Sequence, residues 1–527
     1  MAKNLNTMED QEQTISEISV AAANTTTFIL GSKVISFLFL GIAFIAIARL
    51  LGPSVYGIYV MATFAAGIFG SAGSFGIGTT LNKFGAEHKG NAQKLSELTS
   101  NGMFVLMVFG IVLSAVLFLL SEPIAFYTLH NGGLAYAFRG ISVTVLISMM
   151  FGASYAILIG VGKGLQAAIA IVVESVFQSV IGISLAFMHF GAIAPIIGLI
   201  SGLAAGLLLG LYYIFHDGGV RLIRPEFNKI KGILSFSTPI ALSNIFNVIV
   251  NNLSLFVLGI FTTSFVIGNF GIATKVNSLF DIVLGSIGVS LLPAFTTVMK
   301  HNKIAERTGR FYSYSVYIAF LIMSPVIFLV AFLAKPFSYV AFSSAYSTAP
   351  GYILLMSVGV LIFIAGSYAN SLLVSAGRVK EVLKNNLMVS AIEVVLLVLL
   401  VPAFKGMGLA LLLFIIYPFL IDIFFIRSIR RIFKFSMHVR KVAMIMVADL
   451  ITMVFIYPLI LVFGGMYIPL IIVSAVVVII VYPQMAALLG GINKRDIKLI
   501  GDTVEKVPVV GLLLGILLRY TDIMARD

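Results

Sequence analysis

The chain has 527 residues, of which 60% are hydrophobic and 10% charged, and its formal net charge is +13. A soluble domain carries roughly a quarter charged residues, so this composition excludes an ordinary soluble globular protein. There is no cysteine, which excludes disulfides and thiolate metal sites, and no tryptophan, which leaves tyrosine to supply any aromatic belt.

In chain order, residues 1–23 are polar and acid-rich (Glu9, Asp10, Glu12, Glu17) and lack the basic and apolar regions of a cleaved signal. Fourteen apolar segments follow, each long enough to cross a bilayer, which takes roughly 20 residues. They fall at 28–48, 56–78, 102–120, 141–161, 167–188, 193–214, 236–261, 266–292, 312–333, 352–374, 387–403, 408–426, 442–463 and 468–489. The even-numbered gaps between them hold 21 lysines and arginines, for example Arg221, Arg224, Lys229 and Lys231 in the sixth. The seven odd gaps hold only Arg49, Arg139, Lys335 and Lys405. Positive charge stays on the cytoplasmic side during insertion. The pattern predicts an all-α polytopic membrane protein in the cytoplasmic membrane with both termini cytoplasmic. The cations lie in short loops beside apolar helices, where anionic headgroups account for them, so no nucleic-acid partner is expected. After residue 490 the tail carries one apolar stretch, 507–518, too short to span and suited to the membrane interface.

A weak internal repeat joins the first two segments to the seventh and eighth. The outer turns Gly52-Pro53-Ser54-Val55-Tyr56-Gly57-Ile58-Tyr59 and Thr262-Thr263-Ser264-Phe265-Val266-Ile267-Gly268-Asn269-Phe270 each lead to a glycine and a glycine-rich helix. Six helices separate the copies, so they share one topology. The expected organisation is a tail (1–23), a first six-helix lobe (24–216), a cytoplasmic linker (217–231), a second six-helix lobe (232–428), two added helices (429–490) and a cytoplasmic tail (491–527).

Ionisable groups inside the hydrocarbon cost a few kcal/mol and commonly face a cavity or a partner. Here they are Lys33, Glu174, Lys275, Asp281, Glu393, Asp422 and Asp449. Lys33 and Lys275 fall in corresponding helices of the repeat. With Arg49 at the outer end of the first helix they are candidates for a cationic cavity that binds an anion. Alternatively, Lys33 and Arg49 snorkel to the headgroups. Asn244, Asn247, Asn251 and Asn252 form a polar run in the seventh helix, the first three on one face. Glu174, Asp281 and Glu393 are candidate coupling or structural acids. Asp422 and Asp449 are expected to meet the basic loop at 427–441.

Nucleotide-binding and metal motifs are missing. Gly160-Val161-Gly162-Lys163-Gly164 lacks the Ser/Thr of a phosphate loop and reads as a tight turn between helices. The six histidines show no paired metal spacing. No catalytic residue, cofactor or metal is expected.

At Ala48-Arg49-Leu50-Leu51-Gly52-Pro53-Ser54-Val55-Tyr56-Gly57 the sequence resembles the polysaccharide exporters of the multidrug/oligosaccharidyl-lipid/polysaccharide superfamily. Weaker matches follow at Leu234–Pro239, Ile267–Gly268, Ala273–Lys275 and Leu291–Ala294. The resemblance implies a flippase that carries a polyprenyl phosphate or pyrophosphate glycan to the outer leaflet by alternating access. In such proteins a cationic cavity takes the head while the tail stays in lipid, and Lys33, Arg49 and Lys275 are the residues carried over. The expected partners are the glycan-lipid, membrane lipids and glycosyltransferases or a polymerase of the same route, with the protein itself a monomer. Many relatives have an Asp near Asn251-Asn252, so a coupling cation there is not implied. A drug or metabolite exporter of the same superfamily would favour an acidic site. A membrane glycosyltransferase or polymerase would need a larger, charged outer loop.

Overall fold

A computed structural model describes residues 2–217, 219–299, 304–433, 435–494 and 496; side chains at 2–27, 30, 239–240, 242–252, 282–283, 286, 289–290, 293, 297 and 304–305 lie outside this description. Among the described residues there is no strand. The long helices are α1 (Ala2–Ser74), α3 (Ala92–Leu119), α5 (Ala135–Gly160), α6 (Gly164–Phe187), α7 (Ile193–Phe215), α8 (Phe227–Phe261), α9 (Ser264–Met299), α10 (Ile304–Phe332), α12 (Ala349–Ser375), α13 (Val379–Leu411), α14 (Tyr417–Ile432), α15 (Val439–Phe463) and α16 (Tyr467–Leu488). Short helices α2 (Ile77–Glu87), α4 (Ser121–Leu129) and α11 (Ala334–Phe342) lie between them, and a π-helical turn, Leu412–Ile416, joins α13 to α14. Ten helical runs among the described residues are long and apolar enough to cross a membrane. The chain is therefore a multi-pass helical membrane protein. The turn expected at Gly162 is present: α5 ends at Gly160, Gly162 takes a φ of 81°, and α6 starts at Gly164.

The chain divides into two compact units, residues 1–268 and 269–527. In the first unit, α1 is two helices in one run. Gly52 (φ 71°, ψ 169°) breaks it and Pro53 opens the second half. The break needs glycine, because a Cβ disfavours positive φ, and proline suits a first helical position, where its missing N–H has no helical partner. One turn later, Gly57 meets Gly268 in a reciprocal crossing. A Cβ on Gly57 would land on the Ser264 carbonyl and 2.9 Å from the Gly268 nitrogen. A Cβ on Gly268 would land on the Pro53 carbonyl and 3.0 Å from the Gly57 nitrogen. Tyr56, 1% exposed, anchors the corner against Phe44 and Tyr59, at ring distances of 6.1 and 5.9 Å. Each constrained position of the Gly-Pro-x-x-Tyr-Gly run thus has a steric reason.

The segment before α8 is extended and laced along α3. Arg221 N–H donates to Ser96 Oγ (2.9 Å), Ile223 N–H to Ser100 Oγ (3.0 Å) and Glu226 N–H to Asn101 Oδ1 (2.7 Å). These bonds explain why three polar side chains are buried at the start of α3. At the other side of α8, Ser237 Oγ and Thr80 Oγ1 are 2.6 Å apart in a buried pair that ties α8 to α2.

In the second unit, Asn269 Oδ1 accepts from the N–H groups of Thr348 (3.2 Å) and Ala349 (2.9 Å), capping α12 from a different helix. Helices α15 and α16 pack on α10 through Tyr317, Leu321, Ala448, Ile456 and Leu470. Pro325 lies inside α10 and leaves the Leu321 carbonyl without its helical donor. The Tyr482 hydroxyl of α16 supplies that bond at 2.8 Å. Tyr482→Phe is therefore expected to destabilise the protein by about 1–2 kcal/mol, since it orphans a buried carbonyl. Thermal unfolding in detergent reads this, and an unchanged midpoint would dismiss the role of the hydroxyl.

Candidate functional site

In the second unit, α9 carries Lys275 and Asp281. Lys275 is exposed on the protein surface and has no acidic partner among the described residues. It lies eleven residues after Ser264, ~16 Å along the helix, about half of a hydrocarbon thickness. Asp281 accepts a 2.8 Å bond from Asn277 Nδ2 on its own helix, one turn earlier. Glu393 of α13 is 2% exposed, and its Oε1 has no hydrogen-bond partner. Tyr417 of α14 lies within electrostatic reach of both Glu393 and Asp281, so the two candidate acids share one neighbourhood.

In the first unit, Lys33 lies nineteen residues before the Gly52 break, ~28 Å along α1 and close to a full hydrocarbon thickness. Arg49 sits three residues before the same break, and both side chains are exposed. Glu174 of α6 packs its Cβ against Gly206 of α7, where an added methyl would come within 2.9 Å. Next to it, Ser175 Oγ donates to Ser36 Oγ at 3.0 Å, and Ser36 reaches the Ile171 carbonyl at 3.4 Å. These contacts place Glu174 in the α1–α6–α7 packing. The side chains of Asn244, Asn247, Asn251 and Asn252 lie outside the described residues.

Among the described residues, Asp422 and Asp449 make no bond to the basic loop, contrary to expectation. Asp422 Oδ1 accepts the Gly366 N–H at 2.5 Å. Asp449 is 0% exposed, and neither of its carboxylate oxygens has a hydrogen-bond partner among the described residues. The reason is competition. Lys441, the loop cation nearest Asp449 in sequence, is held by Asp496 at 2.9 Å. Asp496 also lies 2.8 Å from the Tyr317 hydroxyl, 3.1 Å from that of Tyr314 and 3.1 Å from the Asn493 N–H. This clasp was not visible in the sequence, because the side chains that hold Asp496 lie 55 to 182 residues before it.

Burial would raise the Asp496 carboxyl, but the bonds from Lys441, Tyr317 and the Asn493 N–H outweigh it and hold the group below its ordinary value. A depressed carboxyl adds stability above its unfolded pKa, about 3.9, and loses it as pH falls through the folded value. Asp496→Asn is therefore expected to lower stability by about 2 kcal/mol equally at pH 7 and pH 5.5, with the difference shrinking only below about pH 4. Thermal unfolding of the two proteins across that range checks the sign.

With this geometry in place, the chain is an all-helical membrane protein with the fold of lipid flippases and drug exporters. It matches the inward-closed conformation of the lipid II flippase MurJ with a TM-score of 0.70 at 14% identity, covering 88% of this chain and 98% of that one. An inward-facing multidrug-resistance MATE family transporter of the MOP superfamily matches at 0.62, 14% identical, over 75% and 93%. A MOP-superfamily transporter from Pyrococcus furiosus, described as having a binding pocket of reverse polarity, matches at 0.54, 14% identical, over 77% and 95%. No curated protein matches the chain. The sequence model of the polysaccharide biosynthesis protein family matches residues 22–299, just over half of the sequence. The chain belongs to that family.

Proposed function

We propose that the protein is a flippase for polyprenyl phosphate- or pyrophosphate-linked oligosaccharides, moving them from the cytoplasmic to the outer leaflet by alternating access. The observation that carries this reading is Lys275, an ammonium group eleven residues into α9, ~16 Å along the helix, with no acidic partner among the described residues. A cation there attracts an anionic head and disfavours a cationic drug. Lys33 and Arg49 are the further cations of the site, and Asn244, Asn247, Asn251 and Asn252 its polar lining. Glu174, Asp281 and Glu393 serve packing or coupling.

The architecture that goes with it is fourteen spanning helices in two six-helix lobes (24–216 and 232–428) plus two more (429–490). Two of the ten apolar runs, 44 and 54 residues long, are too long for one crossing of roughly 30 Å and are broken at Gly52 and Lys405. Helices α8 and α9, of 35 and 36 residues, add two more. The reciprocal Gly57–Gly268 contact is what a two-fold related repeat would produce. The basic even gaps support a monomer in the cytoplasmic membrane with both termini inside, working beside the enzymes that build and polymerise the glycan.

The test is transbilayer movement of a fluorescent lipid-linked oligosaccharide in proteoliposomes. The wild type is expected to move it, and the Lys33→Ala/Lys275→Ala double variant to lose most of that activity. Unchanged movement by the double variant would remove the cationic mechanism. Movement of cationic dyes with none of the glycan-lipid would favour the drug-export reading.

A further inference from the structure

At the basic ends of α2, α3 and α8 lies a cavity of about 370 Å³, lined by Phe84, His88, Lys94, Glu97, Lys229 and Ile233. Its size is within the range of small-molecule sites. Lys229 crosses it to Glu97 at 2.6 Å and holds Glu226 at 3.0 Å. Hydrogen bonds to Glu97 and then Glu226 raise the Lys229 pKa, so it stays charged and Glu97 is already neutralised. The Lys94 ammonium has no partner among the described residues, and its backbone is fixed by the Asn91 cap at 3.0 Å. The floor is aromatic. Phe84 stands edge-on to Phe236 at 5.2 Å, with the Lys83 ammonium 5.1 and 4.3 Å from the two rings.

The laced segment leads within a few residues into Lys229 of this lining. Its backbone donors are spent on α3, so its side chains are presented at fixed positions. Leu222 and Phe227 are 70% and 80% exposed, next to exposed Arg221 and Arg224. Lys94 and Lys229 lie about two helical turns before the apolar runs of α3 and α8, at headgroup depth. Bulky apolar side chains interleaved with cations at that depth fit an anionic lipid surface. The rings and methyls enter the acyl boundary while the cations meet phosphate.

We propose that this cavity and the laced segment beside it in the chain form a binding site for the phosphate headgroup of an anionic phospholipid. Lys94 takes the phosphate, Arg221 and Arg224 hold neighbouring headgroups, and Leu222 and Phe227 fix the depth. The site lies wholly within the first unit and stands whether or not Lys275 binds cargo.

The test uses the full chain in nanodiscs of phosphatidylcholine containing one-tenth phosphatidylglycerol, with retained lipid counted by native mass spectrometry. The wild type is expected to retain phosphatidylglycerol at least fivefold above its share. Lys94→Glu/Arg224→Glu should bring retention to the bulk ratio, and Leu222→Asp/Phe227→Asp should lower it about threefold. All four positions are exposed, so folding is expected to be unaffected, and an unchanged thermal midpoint verifies this. Wild-type retention in either variant overturns the proposal. A third arm adds inorganic phosphate at constant ionic strength. Displacement of the lipid at millimolar phosphate would overturn the lipid as the ligand, and no displacement supports it.

Discussion

Gly57→Ala and Gly268→Ala, each alone, are expected to cost 3 kcal/mol or more and to reduce the monodisperse yield at least tenfold. Overpacking a tight contact costs about 1–3 kcal/mol when side chains can give way. Here the obstacles are backbone on both sides: the Ser264 carbonyl and Gly268 nitrogen for one, the Pro53 carbonyl and Gly57 nitrogen for the other. Neither can move without dragging a helix. Gly285→Ala is the control, because a Cβ there meets nothing within 4 Å, and it should leave yield and thermal midpoint unchanged. Equal tolerance of all three substitutions would mean that the crossing is loose.

The second large effect concerns transport. On the proposed function, Lys275→Glu should slow glycan-lipid movement about a hundredfold, while Lys275→Arg keeps it within a few-fold. Placing like charge against an anionic head costs several kcal/mol, and ~3 kcal/mol corresponds to about two factors of ten in rate. Arginine preserves the charge and changes only its shape. Rates for Lys275→Glu within twofold of wild type would remove Lys275 from the pathway.

Much of the fold was legible because bilayer thickness sets helix length. The segments read at 193–214, 442–463 and 468–489 reappear within a few residues as α7, α15 and α16. What hydropathy missed lies outside the hydrocarbon. Helix α3 begins ten residues before its apolar run, because Ser96, Ser100 and Asn101 are buried as acceptors for a distant backbone. A polar stretch of that kind reads as loop until its partner is seen. Helices α4 and α11 lie in the odd-numbered gaps and are too short to register as spans.

The candidate site was legible by residue type, since a charge in an apolar run stands out, but the partners were not. Asp449 was placed by nearness in sequence to basic residues. In three dimensions Asp496 holds Lys441, and Asp449 is buried with no hydrogen-bond partner among the described residues. Asp281 and Glu393, 112 positions apart, both lie within electrostatic reach of Tyr417, which no spacing rule could have indicated.

The contact at Gly57 and Gly268 also bears on how such a chain can vary. Each glycine is approached by the carbonyl four residues before the other, at Ser264 and Pro53, so the two sides of the contact are interchangeable. A chain that acquired a side chain at one of these positions would have to displace the backbone that carries the other, so the two sites are open to change only together.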